Sequence, residues 1–183
     1  PLDDRDAGIM TTFKGTVIVN WFTSVNFMTN PRLKRYYARH AGKVTNDVQE
    51  KWLGYWMLRS EGNGYTWSEP IRVPCSSPAN VIQLTCGDLL FLGKDYHSKP
   101  FRTLVIKSSD DGKTWEKIAD DPFEASFDVR LHEPHIVEIA RGKILAVFRQ
   151  HGKRGDRSDD FIFQSFSEDG GQSWSVPVET PML

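Results

Sequence analysis

Ser108-Ser109-Asp110-Asp111-Gly112-Lys113-Thr114-Trp115 recurs as Ser167-Glu168-Asp169-Gly170-Gly171-Gln172-Ser173-Trp174. A worn copy, Ser60-Glu61-Gly62-Asn63-Gly64-Tyr65-Thr66-Trp67, has Gly62 where the others have aspartate. The pattern is Ser-x-Asp-x-Gly-x-(Thr/Ser)-Trp, and each position has a physical reason. The aspartate can accept backbone N–H bonds from residues just downstream and so hold a turn. The glycine permits positive φ where the chain reverses. The tryptophan anchors the turn by burying a large ring. Ser108, Asp110, Gly112, Trp115, Ser167, Asp169, Gly171 and Trp174 are therefore read as structural; they define the fold and are not expected to touch a substrate.

Working outward, Trp67, Trp115 and Trp174 stand 48 and 59 residues apart, the mark of an internal repeat. A strand-like run precedes each turn: Trp52 to Arg59, Arg102 to Lys107, and Asp160 to Phe166. Further upstream, each unit has a hairpin built on glycine, at Gly15, Gly87 and Gly142, and each ends in a short segment containing Pro70, Pro122 or Pro177. That gives three units of four strands separated by turn signals. In Lys143-Ile144-Leu145-Ala146-Val147-Phe148 no polar residue alternates with the apolar ones, as it would in a half-exposed sheet. Strands covered on both faces fit blades stacked around an axis, so an all-β propeller is expected.

These repeats resemble the Asp boxes (BNR repeats) of the sialidase, or neuraminidase, superfamily, whose fold is a six-bladed β-propeller. About three blades are expected here, over residues 5–73, 79–122 and 132–180, the whole of 1–183 forming one partial propeller. Three blades cannot close a ring and would leave strand edges unpaired. The chain is expected to be a piece of a longer protein, or to be completed by a second copy.

The resemblance also implies a site. Arg5 lies ten residues before Gly15, where the family carries the first arginine of a carboxylate clamp, although Asp6-Ala7 replaces the family's Ile-Pro. A guanidinium is a planar fork suited to a carboxylate. The plainer reading pairs Arg5 with Asp3, Asp4 or Asp6. The segment Leu131-His132-Glu133-Pro134-His135, followed by Gly142 and Arg149, resembles the family segment in which a glutamate serves as base to a tyrosine nucleophile and an arginine joins the clamp. Glu133 and Arg149 match those positions, with His132 and His135 as further candidates to line the pocket. Arg149 ends an apolar run, where a charge needs an anionic partner or ligand; a salt bridge to Glu133 itself would also satisfy it.

Phe27 to Lys51 does not fit the repeat and is read as a long loop, basic through Arg32, Lys34, Arg35, Arg39 and Lys43. In the family this region carries an aspartate that protonates the leaving group. Asp47 is the candidate, with His40 as the fallback. Asp95 and His97 sit in a polar loop, and Lys153, Arg154, Asp156 and Arg157 in another that suggests a pocket rim. Tyr36, Tyr37, Tyr55, Tyr65 and Tyr96 all precede Glu133, whereas the family's tyrosine follows it, so nucleophile and third arginine are expected outside this chain.

Composition is ordinary for a globular chain of 183 residues, with 39% hydrophobic and 26% charged residues and a net charge of −1. No bulk field recruits nucleic acid, and no apolar run is long enough to span a membrane. Cys75 and Cys86 could bridge or stay as thiols, and neither has metal-ligand neighbours, so no metal or cofactor is expected. The expected activity is retaining exo-glycosidase chemistry that removes a terminal sialic acid or related sugar acid from a glycan, the chain alone being incomplete for it. The alternatives are a non-catalytic propeller that binds glycan or protein, and a hydrolase of a different sugar. Secreted or periplasmic placement follows from the resemblance only.

Overall fold

The computed structural model describes residues 2–123, 130–151 and 161–180. They form three sheets of four antiparallel strands, each strand beside the next in sequence. The first holds β1 (Asp3–Thr11), β2 (Val17–Ser24), β3 (Tyr55–Ser60) and β4 (Ile71–Val73); the second β5 (Ile82–Gln83), β6 (Leu89–Asp95), β7 (Arg102–Ser108) and β8 (Glu116–Asp120); the third β9 (Arg130–Ala140), β10 (Lys143–His151), β11 (Ile162–Ser167) and β12 (Val178–Glu179). The sheets are referred to below as blades 1, 2 and 3.

Two cores lie between the blades. Ile18 and Met57 from blade 1 pack with Leu89, Phe91, Leu104 and Ile106 from blade 2. Leu90, Leu92 and Val105, on the other face of blade 2, pack with Ile136, Ile144, Ala146 and Phe148 from blade 3. Side chains alternate across a strand, so β6 sends Leu89 and Phe91 one way and Leu90 and Leu92 the other. A run that is apolar at every position is what a sheet covered on both faces requires.

The boxes fold as their chemistry dictates. The Ser108 hydroxyl donates to Asp110 Oδ1 (2.8 Å) and accepts from the Gly112 N–H (2.9 Å), while Asp110 also accepts from Thr114 N–H (2.9 Å) and its hydroxyl (2.6 Å). Ser167, Asp169, Gly171 and Ser173 repeat the arrangement, and the Trp174 indole N–H donates to Gly171 O at 3.0 Å. Each box also docks on the preceding blade. A Cβ at Gly112 would meet Ile18 Cδ1 at 2.7 Å, and one at Gly171 would meet Leu90 Cδ2 at 3.1 Å. Only glycine fits there, at φ of 82° and 97°. Arg59 of blade 1 locks the first of these contacts, donating to Asp111 O (2.8 Å) and pairing with its carboxylate (3.2 Å).

Two expectations are corrected. The long loop is four short helices: α1 (Asn26–Thr29), α2 (Pro31–Tyr36), α3 (Ala38–Ala41) and α4 (Asn46–Trp52). Local caps start two of them. The Asn30 side chain accepts the Arg32 N–H ahead of Pro31, and Thr45 accepts the Val48 N–H. Buried Phe27 packs on Tyr37 and His40, leaving the basic residues exposed. Because α4 runs to Trp52, the third strand begins at Tyr55 rather than Trp52. The cysteines are separate thiols, Cys75 buried and Cys86 exposed.

Candidate active site

The inner strands of blades 1 and 3 carry the same irregularity. In β1, Arg5 pairs with Phe22 and Gly8 with Asn20, so Asp6 and Ala7 bulge. In β9, His132 pairs with Arg149 and His135 with Val147, so Glu133 and Pro134 bulge. Asp6 and Glu133 have φ of 51° and 50°, left-handed values that L side chains rarely adopt. A bulge re-aims a side chain at the end of a strand. Here that end lies opposite the box turns and on the same side as the helical insert between β2 and β3.

Arg149 Nη2 meets Glu133 Oε1 at 2.8 Å, the two side chains being 44% and 42% exposed. The pair is thus open to solvent and able to exchange partners, and its worth to stability is small. Arg5 Nε meets Asp3 Oδ2 at 2.9 Å. Arg5 lines a cleft of about 500 Å³ with Phe22, Leu53, Tyr55, Tyr96 and His97, and the insert contributes Val25, Asn26 and Thr29.

Tyr96 links these groups. Its ring lies 6.2 Å from Phe22 and 5.7 Å from Phe101. Burial, reinforced by the carboxylates of Glu133 and Asp6 and opposed by Arg149, pushes its hydroxyl up to about 12. The hydroxyl of Tyr96, on blade 2, thus responds to the charges of Asp6 on blade 1 and of Glu133 and Arg149 on blade 3. The loop bearing Tyr96 is pinned from blade 1: the Tyr55 hydroxyl accepts the N–H groups of Tyr96 (2.5 Å) and His97 (3.2 Å) and donates to Asp95 Oδ1 (3.0 Å). Burial, then Asp95, pushes the Tyr55 hydroxyl up. Asp95 also caps the His97 N–H at 2.9 Å, which makes it a loop brace.

Blade 2 fixes the start of β9. Buried Lys94 donates from Nζ to Leu131 O at 2.5 Å, and the Ser77 hydroxyl donates to Pro134 O at 2.6 Å. Burial lowers the Lys94 ammonium from its ordinary value, with Asp121 opposing. Lys94 stands seven residues after Gly87, as Phe22 stands after Gly15 and Arg149 after Gly142. Alignment of the three units on those glycines would have singled out this slot in the sequence.

The structure thus brings Glu133, Arg149 and His132 to one place and Arg5 to the adjoining cleft. His135 is exposed on β9. Asp47 is exposed in the first turn of α4 and is not among the cleft-lining residues named for the described chain. The 152–160 loop lies outside the described residues. Asp6 and Tyr96 were missed: Asp6 read only as a departure from a tripeptide, and Tyr96 precedes Glu133 in sequence although it adjoins it in space. Among the described residues no group of three His, Cys, Asp or Glu side chains could hold a metal ion, and no helix is long and apolar enough to cross a membrane.

Comparison with solved structures places the fold. A protein of unknown function from Dyadobacter fermentans aligns with TM-score 0.70 and 17% identity, covering 98% of this chain and 51% of its own. A Hadza microbial sialidase aligns with TM-score 0.66 and 19% identity over 99% of this chain and 34% of its own. The α-L-arabinofuranosidase of Fusarium graminearum, complexed with arabinobiose, aligns with TM-score 0.63 and 17% identity over 100% and 51%. The chain spans about half the length of the first and third of these and about a third of the second. No curated protein matches it in sequence. The architecture is a partial β-propeller of the kind shared by sialidases and arabinan-degrading glycosidases. The model of the BNR repeat-like domain matches residues 32–183, and the chain belongs to that family.

Proposed function

We propose that this chain forms part of the active site of a sialidase-like, retaining exo-glycosidase that releases a terminal sugar acid from a glycan. The observation that carries the reading is the solvent-open Glu133–Arg149 pair beside Tyr96 at the mouth of the inner strands. In this role Arg149 and Arg5 exchange their present carboxylate partners for the substrate carboxylate, which a guanidinium binds through two parallel hydrogen bonds. Glu133 withdraws a proton from the nucleophile, a tyrosine that the resemblance assigns to the blades completing the ring, from the rest of the protein or from a second copy. His132 and His135 flank the sugar. The acid role is left open here, since Asp47, the candidate from the resemblance, is exposed on α4 and does not line the cleft.

Turnover of a fluorogenic sialoside by the ring-complete protein tests this. Arg149→Ala and Glu133→Gln should each lower kcat/KM by about 10²–10⁴-fold, as loss of a charge-stabilising or proton-transfer group does. A folded protein with no turnover would sink the sialidase reading. A second reading has its own support: both arginines already hold carboxylates, Asp3 and Glu133, which suits a neutral sugar. Turnover of an α-L-arabinofuranoside in preference to the sialoside would favour it, and binding of glycan without turnover of either would leave a binding propeller.

A further inference from the structure

We propose that Asp6, at the bulge of β1, is the proton donor of this site, with Glu133 in the matching bulge of β9 as its opposite number. The inference rests on the glycosidase reading above and fills the one role that reading leaves open.

Three features single out Asp6. It occupies the same slot as Glu133, nine residues before its hairpin glycine; Pro78 occupies that slot in blade 2. Its backbone is left-handed, at φ 51°, and the residues that follow it are packed closely on blade 2. A Cβ at Gly8 would meet Ala79 O at 2.6 Å and Asn80 Oδ1 at 2.9 Å, Asn80 Oδ1 accepts the Ile9 N–H at 2.9 Å, and Asn20 Nδ2 donates to Ser77 O (3.1 Å) and Ala79 O (3.2 Å). Blade 2 thus packs directly on the strand beside the bulge, and a backbone held in a sparse region, as at Asp6, is typical of working sites. Finally, Asp6 is exposed and has no ion pair among the described residues, because Arg5 has turned to Asp3. Glu133, in contrast, is paired with Arg149. The hydroxyl of Tyr96 responds to both carboxylates.

In the step assigned to it, the Asp6 carboxylic acid gives its proton to the glycosidic oxygen as the bond from that oxygen to the anomeric carbon breaks. The bonding pair stays on the oxygen, the aglycone leaves as a neutral alcohol, and Asp6 is left as a carboxylate. Meanwhile the tyrosine oxygen, its proton passed to Glu133, bonds to the anomeric carbon. Water then delivers hydroxyl to that carbon as the bond to the tyrosine breaks. Glu133 returns the tyrosine's proton and the water's other proton returns to Asp6, so one water is consumed per bond cleaved.

The test compares Asp6→Asn and Asp47→Asn in the ring-complete protein on two glycosides of one sugar, a 4-nitrophenyl glycoside and an alkyl glycoside. Sialosides and α-L-arabinofuranosides are both run. A nitrophenolate leaves without help, whereas an alkoxide needs the proton. Asparagine tolerates the left-handed region, so Asp6→Asn should fold, and its melting temperature checks this. Expected is a loss of about 10²–10⁴-fold on the alkyl glycoside and much less on the nitrophenyl one for Asp6→Asn, with Asp47→Asn near wild type. The reverse pattern, or equal losses on both glycosides, overturns Asp6 as the donor while leaving a glycosidase. A wild-type protein that turns over neither sugar overturns the glycosidase reading and this inference together.

Discussion

The two ends of the blades solve opposite problems. At the box end, Asp110 and Asp169 find their hydrogen-bond partners within four residues, and Asp111 and Arg59 form a pair in which both side chains are 9% exposed. At the mouth, charged groups stay open, as in the Glu133–Arg149 pair, and the Asp6–Tyr96–Glu133 grouping draws on all three blades. Although Asp111 Oδ1 and the Trp115 indole N–H are buried without a partner among the described residues, the box end ties most of its polar groups into short-range bonds that fix the fold. The mouth keeps them available to a ligand, with Tyr55 and Lys94 beneath them supplying the rigidity. Substitutions at the box end should therefore cost stability, and substitutions at the mouth should cost activity.

The largest stability effect is expected at Arg59. Arg59→Met removes the cationic partner of a buried pair and leaves the Asp111 carboxylate to the hydroxyls of Thr16, at 2.5 Å, and Thr12. Such a break costs about 3–5 kcal/mol. Urea unfolding of Arg59→Met should show it, and Arg59→Met with Asp111→Asn should recover part of the loss. If the single variant unfolds like wild type, the box end is not the lock described here.

Asp110→Ala comes next. Three hydrogen bonds end on this carboxylate, and a net loss of about 1–3 kcal/mol follows from leaving their donors unpaired. Burial works against its charged form, yet the hydrogen bonds from Thr114 and Ser108 prevail and hold it at about 2. Because the folded value is depressed, this stabilisation is complete above the unfolded value of about 4 and is lost as pH falls towards 2. Wild type should thus lose stability over that window by more than Asp110→Ala does, as read by urea midpoints at stepped pH.

A mouth residue should separate the two currencies. Tyr96→Phe keeps the ring against Phe22 and Phe101, so the melting temperature should hold, whereas kcat/KM on the preferred glycoside should fall. An equal drop in stability would mean that Tyr96 belongs to the fold alone.

This contrast also explains what the sequence could disclose. The boxes were legible because each is a closed set of contacts within eight residues, and the apolar runs of β6 and β10 were legible because covering both faces of a sheet leaves no alternation. Arg149 and Glu133 could be matched because one hairpin joins them. Tyr96 and Asp6 could not, since their relation to Glu133 exists only after three blades stack. The helices of the insert were missed because they are too short to show a helical period and, among their described residues, bury only Phe27; the caps at Asn30 and Thr45 are what betray them.

The smallest effect tests the rule at its weakest copy. In blade 1 the Ser60 hydroxyl still accepts the Gly64 N–H at 2.8 Å, but with Gly62 in the aspartate slot the Thr66 hydroxyl has swung into the vacated space, 2.3 Å from where a Cβ would sit. Gly62→Asp should push that hydroxyl aside by a χ1 rotation and then take its hydrogen bond, as Asp110 does with Thr114. The backbone at Gly62 is not left-handed, so an L residue also gains by restricting the unfolded chain, by about 0.4–1 kcal/mol. A gain of that order raises the melting temperature by about 1–4 °C in a chain of this size. Adding Thr66→Ala should remove only the hydrogen-bond share. If Gly62→Asp instead lowers the melting temperature, the rotation is blocked, and the worn box has settled into a packing of its own.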